Sequence, residues 1–375
     1  MPNKILFLTL RIFSATGGIE KVCRVAGKAL FELGLQYGGL VKIFSMHGPK
    51  GKAVGNKYFP QLMFTGFSGN KIACVLKSIR EGSKSKMVLM SHINLLMIGY
   101  LIKLFNPSVK LVLLAHGIEV WQNFPAWKKK MLHKCDLILP VSHFTRERMA
   151  SLHGIPEEKM MVINNCLDPY MAQPLKRGKN SFLLNKYGLN PEHKILLTVS
   201  RMVSTERYKG YDRVLQALPE LIGNYPKLRY LMVGRYDEAE KMRLDELINI
   251  LGLKGIVVFT GIIPDEILAD HFRLGDLFVM PSEKEGFGIV FIEAMYYGLP
   301  VIAGNKDGSV DALVNGEMGL LVDPGNINEI RVAIRKILDN HQAYLPNRYK
   351  LMDHFGYTSY KEKFWEVIDR LNAKC

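Results

Sequence analysis

Short apolar runs alternate with helix-length periodic segments along this chain, and the alternation occurs twice. In the first half the runs fall at residues 5–10, 41–45, 87–91, 111–115, 137–141 and 160–163. Helical periodicity lies between most of them, at 18–33, 70–80, 93–105, 125–133 and 143–153. This pattern predicts a parallel sheet with helices on both faces, because such strands are buried on both sides and read as continuous apolar runs. The second half restarts it, with strands predicted at 195–200, 228–233, 257–259, 277–280, 300–303 and 319–322. Its predicted helices are 211–222, 239–251, 265–273, 290–297 and 327–339. The expected fold class is therefore α/β, with two doubly wound domains in tandem. Pro169, Pro174, Gly178, Asn180 and Pro191 cluster between them and mark a linker. The expected division is 1–165, 166–354 and a terminal amphipathic helix within 355–375, where Tyr360, Phe364, Trp365, Val367, Ile368 and Leu371 share the helical period.

The net charge of +15 is unevenly placed. Residues 1–165 hold 23 Lys and Arg against 8 Asp and Glu, while the remainder is balanced at 27 of each. Such asymmetry points to an anionic partner for the first half: nucleic acid, an anionic membrane surface or a phosphorylated substrate. The five cysteines, Cys23, Cys74, Cys135, Cys166 and Cys375, show no C-x-x-C spacing. They read as reduced thiols of a cytoplasmic protein. The start of the chain has no cleavable signal pattern. The most membrane-like stretch, 87–105, is broken by His92, Asn94, Gly99 and Lys103, whereas a span needs roughly 20 nearly continuous apolar residues. It reads as a strand followed by a helix.

In open parallel sheets ligands sit beyond the carboxyl ends of the strands, so residues in those loops carry the information. After the first strand come Gly17, Gly18 and Glu20 at a helix start, where free N–H groups and the positive end of the dipole can receive a phosphate or a sugar hydroxyl. A plain strand-to-helix turn is the alternative. The full G-x-G-x-x-G fingerprint is absent, which argues against a nicotinamide enzyme. His116 follows another strand and can donate to a leaving group or a hydroxyl. In the second half Arg201 ends a strand and Lys209 opens the next helix, a plausible diphosphate clamp. The densest signal is Glu285-Gly286-Phe287-Gly288-Ile289 followed by Glu293. One carboxylate lies in the loop and the other inside the helix, on either side of the helix start.

This constellation resembles the retaining nucleotide-sugar glycosyltransferases of GT-B fold, glycosyltransferase family 4. The resemblance runs from Gly17-Gly18-Ile19-Glu20 through His116, Arg201 and Lys209 to the E-x7-E segment and the Gly298–Ala303 and Gly316–Val322 stretches. It implies two Rossmann-like domains facing a cleft, with the terminal helix packing back on the first. It also implies that Arg201 and Lys209 grip the donor diphosphate and that Glu285 binds the transferred hexose, with Gly286, Phe287, Gly288 and Ile289 around sugar and phosphate. Glu293 would take the ribose hydroxyls and Gly261 and Ile262 would flank the base. His116 would stand beside the transferred sugar, with Gly17 and Gly18 near the phosphates and Glu20 on the acceptor side. The Arg201-to-Lys209 spacing is longer than in many members. No D-x-D motif occurs, in keeping with metal-independent binding of a UDP or GDP sugar without a cofactor.

The leading expectation is a retaining hexosyltransferase acting on a lipid-linked saccharide or polysaccharide acceptor, at the inner face of the cell membrane. Lys128-Lys129-Lys130 beside Trp121, Phe124 and Trp127 is the best local candidate for contact with anionic lipid. An epimerase or phosphorylase of the same architecture competes with this reading. A basic nucleic-acid-binding protein is the remoter alternative, for want of stacking motifs, zinc patterns or a recognition-helix signature.

Overall fold

The computed structural model describes residues 4–13, 17–51, 56–174 and 178–373. The chain divides into two units, one of Met1–Pro169 with Phe355–Cys375 and the other of Tyr170–His354.

The first unit contains β1 (Lys4–Thr9), α1 (Gly18–Tyr37), β2 (Leu40–Ser45), β3 (Phe64–Gly66), α2 (Lys71–Gly82), β4 (Met87–Met90), α3 (Leu96–Phe105), β5 (Lys110–Ala115), α4 (Ala126–His133), β6 (Leu137–Pro140) and α5 (His143–His153). The strands form one sheet in the order β3-β2-β1-β4-β5-β6. Every neighbouring pair is parallel, with Ile5 opposite Val41 on one side and Met87 on the other. Ile5, Leu6, Phe7 and Leu8 are all buried, as a strand covered on both faces requires. Strand order reverses between β1 and β4, so their carboxyl ends border the crevice where ligands bind in such sheets.

The second unit repeats the plan. It runs α6 (Ser181–Lys186), β7 (Lys194–Val199), α7 (Tyr211–Asn224), β8 (Leu228–Val233), α8 (Glu238–Ile250), β9 (Val257–Gly261), α9 (Asp265–Phe272), β10 (Leu277–Met280), α10 (Ile289–Tyr296), β11 (Val301–Gly304), α11 (Ser309–Ala312), β12 (Leu320–Val322) and α12 (Ile327–Asp339). The sheet order is β12-β11-β10-β7-β8-β9, again all parallel, and the reversal falls between β7 and β10. Helices α13 (Arg348–Phe355) and α14 (Tyr357–Ala373) close the chain.

Helix α14 belongs to the first unit because its apolar stripe is buried there. Tyr360, Phe364, Val367, Ile368 and Leu371 share a core with Cys23, Ala26, Leu30 and Leu33 of α1. Trp365 stacks on Tyr37 with ring centroids 3.8 Å apart, and Tyr357 Oη donates to Glu32 at 2.9 Å.

One sequence expectation fails locally, and one edge strand went unannounced. The run at 160–163 is not a strand. It is extended chain in which Met161 N and Ile163 N donate to Ile138 O and Pro140 O before the polypeptide leaves the sheet. Conversely, β3 is a true edge strand that three residues could not announce. The stretch at 87–105 is β4, a 3-10 turn and α3. Among the described residues no helix is long and apolar enough to cross a membrane. Cys23, Cys74, Cys135 and Cys166 are buried free thiols, and burial pushes Cys23 and Cys135 up to about 12. Cys375 lies outside the described residues.

Candidate active site

The two loops at the β7/β10 switch point are locked together. Gly210, at φ +76°, caps the turn before α7, and a Cβ there would collide with the Pro281 carbonyl. Glu283 N donates to Tyr208 O at 2.9 Å, closing the approach from the other side. Lys209 Nζ, carried by the β7 loop, is bonded to Glu285 Oε1, carried by the β10 loop. Burial alone would lower the Lys209 ammonium, but the Glu285 carboxylate outweighs it and holds the group above its ordinary value. Arg201 is more exposed and pairs with Glu206 at 2.7 Å.

The long spacing between Arg201 and Lys209 is absorbed by a compact turn. Glu206 N donates to Val203 O, Lys209 N to Glu206 O, and a 3-10 turn spans Arg207–Lys209. Glu240 anchors this turn from below. Its buried carboxylate accepts from Arg207 Nε at 2.8 Å and from Tyr211 Oη at 2.9 Å, on both sides of Lys209.

Helix α10 starts directly after Gly288, which is left-handed at φ +82° and gives no side-chain cap. A Cβ at Gly288 would collide with the Phe291 ring. Ile289 and Val290 therefore open the helix with their N–H groups turned to the loop side, a setting for an anion. Gly286 and Phe287 are buried beneath the loop. Glu293 sits one turn into α10 and is only 6% exposed. Gly261 ends β9 at the sheet edge with φ +71°, and the next residue, Ile262, is exposed. That apolar surface at a strand end suits the flat face of a base.

In the first unit His116 follows β5. Its Nε2 lies 2.8 Å from Ser91 O, just past β4, so Nε2 carries the proton. The buried Nδ1 has no partner among the described residues and is left as an acceptor. The His116 backbone N–H donates to Glu119 at 2.5 Å. Gly17 caps α1 in an extended conformation, φ −138°, and the Glu20 carboxylate lies over it, where a Cβ would collide. Glu20 therefore shields the helix start. Thr16, the neighbour of Gly17, lies outside the described residues.

Two further groups went unread in the sequence: Glu206, the Arg201 partner, and Asp307, whose carboxylate reaches the Glu285 backbone. Both stand in polar loop segments that look like ordinary turns. Among the described residues no three His, Cys, Asp or Glu side chains gather as a metal would require.

The Lys128-Lys129-Lys130 patch is less open than its sequence suggests. Lys128 Nζ sits 4.5 Å from the Phe124 ring centroid, and Lys129 Nζ donates to Leu152 O at 2.9 Å. Phe124 is buried, Trp121 packs edge-on against Phe144, and Lys130 and Trp127 are the exposed members.

Comparison with known proteins places the chain. The model described as "Glycosyl transferases group 1" matches residues 180–362, and "Glycosyltransferase Family 4" matches residues 16–170. A GDP-mannose-dependent alpha-(1-6)-phosphatidylinositol monomannoside mannosyltransferase of Mycolicibacterium smegmatis is 31% identical over 61% of this chain and 61% of its own length. A D-inositol 3-phosphate glycosyltransferase of Rhodococcus jostii is 36% identical over 41% of this chain and 34% of its own. The chain thus spans about three-fifths or less of these relatives. Among solved structures, a Rickettsia africae glycosyltransferase superposes with a TM-score of 0.76 at 21% identity, covering 98% of both chains. An Anabaena protein crystallised with UDP and glucose gives 0.72 at 20% identity, covering 98% of this chain and 99% of its own. Those likenesses carry the fold, which is GT-B with two Rossmann-like domains. The chain belongs to glycosyltransferase family 4.

Proposed function

We propose that this protein is a retaining, metal-independent hexosyltransferase that moves a sugar from a UDP or GDP donor to a lipid-linked saccharide or polysaccharide acceptor in envelope or exopolysaccharide synthesis. One observation carries the reading: the β7 and β10 loops hold Lys209 and Glu285 together at the switch point, beside the open start of α10.

The chemistry follows from these residues. Breaking the bond between the sugar C1 and the diphosphate leaves negative charge on the leaving group. Lys209, Arg201 and the α10 start are donors fixed in place before that charge develops, so they stabilise it at little reorganisation cost. Glu285 takes sugar hydroxyls, Glu293 takes the ribose, and Gly261 and Ile262 take the base. His116, in the first unit, keeps its Nδ1 as a hydrogen-bond acceptor among the described residues. Retention at C1 is carried over from the family resemblance.

A lipid-linked acceptor is supported by the excess of positive charge in residues 1–165. It is also supported by the phosphatidylinositol-linked substrate in the name of the mycobacterial relative. Exposed Ile72 and Leu76 on α2, Met97, Leu104 and Phe105 on α3 and Trp127 on α4 lie on helices that pack side by side. Exposed Lys71, Arg80 and Lys84 border them. A basic rim around exposed apolar side chains suits peripheral binding to the cytoplasmic face of a membrane. The deciding experiment is a screen of UDP-, GDP- and ADP-sugars for a rise in melting temperature, since a ligand that binds only the folded state raises it. A rise with at least one sugar nucleotide is expected; none with any of them overturns the reading.

A further inference from the structure

The peptide that carries Glu285 is gripped from both sides by a single loop, the segment between β11 and α11. Glu285 N donates to Asp307 Oδ2 at 2.7 Å. Gly308 N donates to Glu285 O at 2.8 Å. Gly308 is packed so closely under this segment that a Cβ would collide with the Gly286 carbonyl. The grip extends three residues upstream, where Ser282 Oγ donates to the same Asp307 Oδ2 at 2.8 Å. Asp307 Oδ1 in turn accepts from Ser309 N at 2.9 Å. Ser282, Asp307 and Ser309 are all essentially inaccessible to solvent.

A buried carboxylate is costly unless its lone pairs are filled, and it is a poor choice for a merely structural turn. Here it also stands near a second carboxylate, that of Glu285. Burial first, and the Glu285 charge as well, push Asp307 up to about 6 against the hydrogen bonds it accepts. The fold tolerates this arrangement at a loop that lies at the donor-binding end of the sheet. Outside the clamp, Glu285 is paired with Lys209.

We propose that Asp307, with Gly308, is a positioning element for the donor hexose: it fixes the Glu285 main chain and thereby sets where the Glu285 carboxylate meets the sugar hydroxyls. The proposal rests on the reading of Glu285 as the hexose ligand. Asn at position 307 cannot substitute. With its single oxygen toward Glu285 N, its amide faces the Ser309 N–H; turned over, its amide faces the Glu285 N–H. Either way one backbone donor is lost.

The test compares a nucleoside diphosphate with its sugar conjugate. Dissociation constants for UDP, UDP-glucose, GDP and GDP-mannose are measured by calorimetry on the whole chain and on Asp307→Asn and Gly308→Ala. In the wild type the preferred sugar nucleotide should bind at least tenfold more tightly than its diphosphate. Both variants should keep the diphosphate affinity within about twofold and lose most of the sugar-dependent gain. The wild-type gain should also shrink below pH 6, where Asp307 takes up a proton. Should one variant fail to fold, the other variant and the wild-type pH profile decide between the outcomes. Variants that retain the full gain, or a wild-type gain that is flat across pH 6 with one folded variant unchanged, overturn the positioning role. A wild type that shows no gain with any sugar overturns the hexose reading of Glu285 itself, a different result from the first.

Discussion

Lys209 and Glu285 form an ion pair between two neighbouring strand-end loops, and both side chains are mostly withdrawn from water. In the absence of donor each neutralises the other. On the proposed reading, a diphosphate arriving at Lys209 would compete with that carboxylate, while a hexose arriving at Glu285 would compensate it with hydroxyl donors. On that reading the pair would favour a ligand that brings phosphate and sugar together over one that brings phosphate alone.

Removing either partner should be costly and the two losses should not add. Lys209→Ala and Glu285→Ala are each expected to lower transfer at least tenfold, since one charged contact to a developing phosphate charge is worth about 2–4 kcal/mol. Each also strands its partner without a counter-charge. The double variant should lose less than the product of the two, because the residues act as a unit. Steady-state rates with melting curves as a folding check decide it. Full activity in either folded variant would remove the residue from the site.

Much of this was legible in the sequence because buried parallel strands write themselves as apolar runs. Residues 228–233 and 277–280 coincide with β8 and β10. Glu285 and Glu293 stood out because carboxylates flanking a Gly-rich helix start are chemically unusual. What escaped was tertiary. Strand β3 has three residues and owes its existence to the edge of β2, with Ile43 opposite Phe64. The run at 160–163 has strand composition, but the chain turns into the linker before a ladder can form. Asp307 lies in Asn305-Lys306-Asp307-Gly308, which reads as a solvated turn. Only the fold brings it under Glu285.

Acid stability offers a check on the first unit. Glu81 on α2 accepts from Lys4 of β1 and Lys42 of β2, both at 2.7 Å. Those hydrogen bonds hold its carboxyl down at about 2. A carboxyl lowered in the fold contributes stability above its unfolded value near 4.5 and loses it as pH falls from there toward 2. Glu81→Gln should therefore lower the melting temperature at pH 7 by a few degrees, on the order of 1 kcal/mol after solvent screening. The gap between variant and wild type should close as the buffer is taken down toward pH 3. An equal gap at pH 7 and pH 3 would mean that packing, not charge, is responsible.

Transfer should survive EDTA. On the proposed reading Lys209, Arg201 and the α10 start supply positive charge to the leaving group, the work a bridging cation does elsewhere. The measurement is turnover after chelation and dialysis, with and without added Mg²⁺ or Mn²⁺. Loss of activity that either ion restores would contradict the assignment of these three groups.

Membrane binding, if electrostatic, must respond to salt and to the right lysines. The positive excess of residues 1–165 is paired with exposed Ile72, Leu76, Leu104 and Phe105, so attraction and shallow insertion would act together. Co-sedimentation with vesicles should show binding to anionic but not to neutral lipid. It should weaken at high salt, since the screening length is about 8 Å at physiological ionic strength and shrinks further above it. The structure also ranks the variants. Lys128 and Lys129 are engaged within the protein, so Lys130→Glu alone should reproduce most of the effect of changing all three. Changing exposed Lys71, Arg80 and Lys84 together to Glu should weaken binding more than either. Equal binding to both vesicle types would point to a purely apolar anchor. No binding at low salt would assign the basic surface to a soluble acidic acceptor instead.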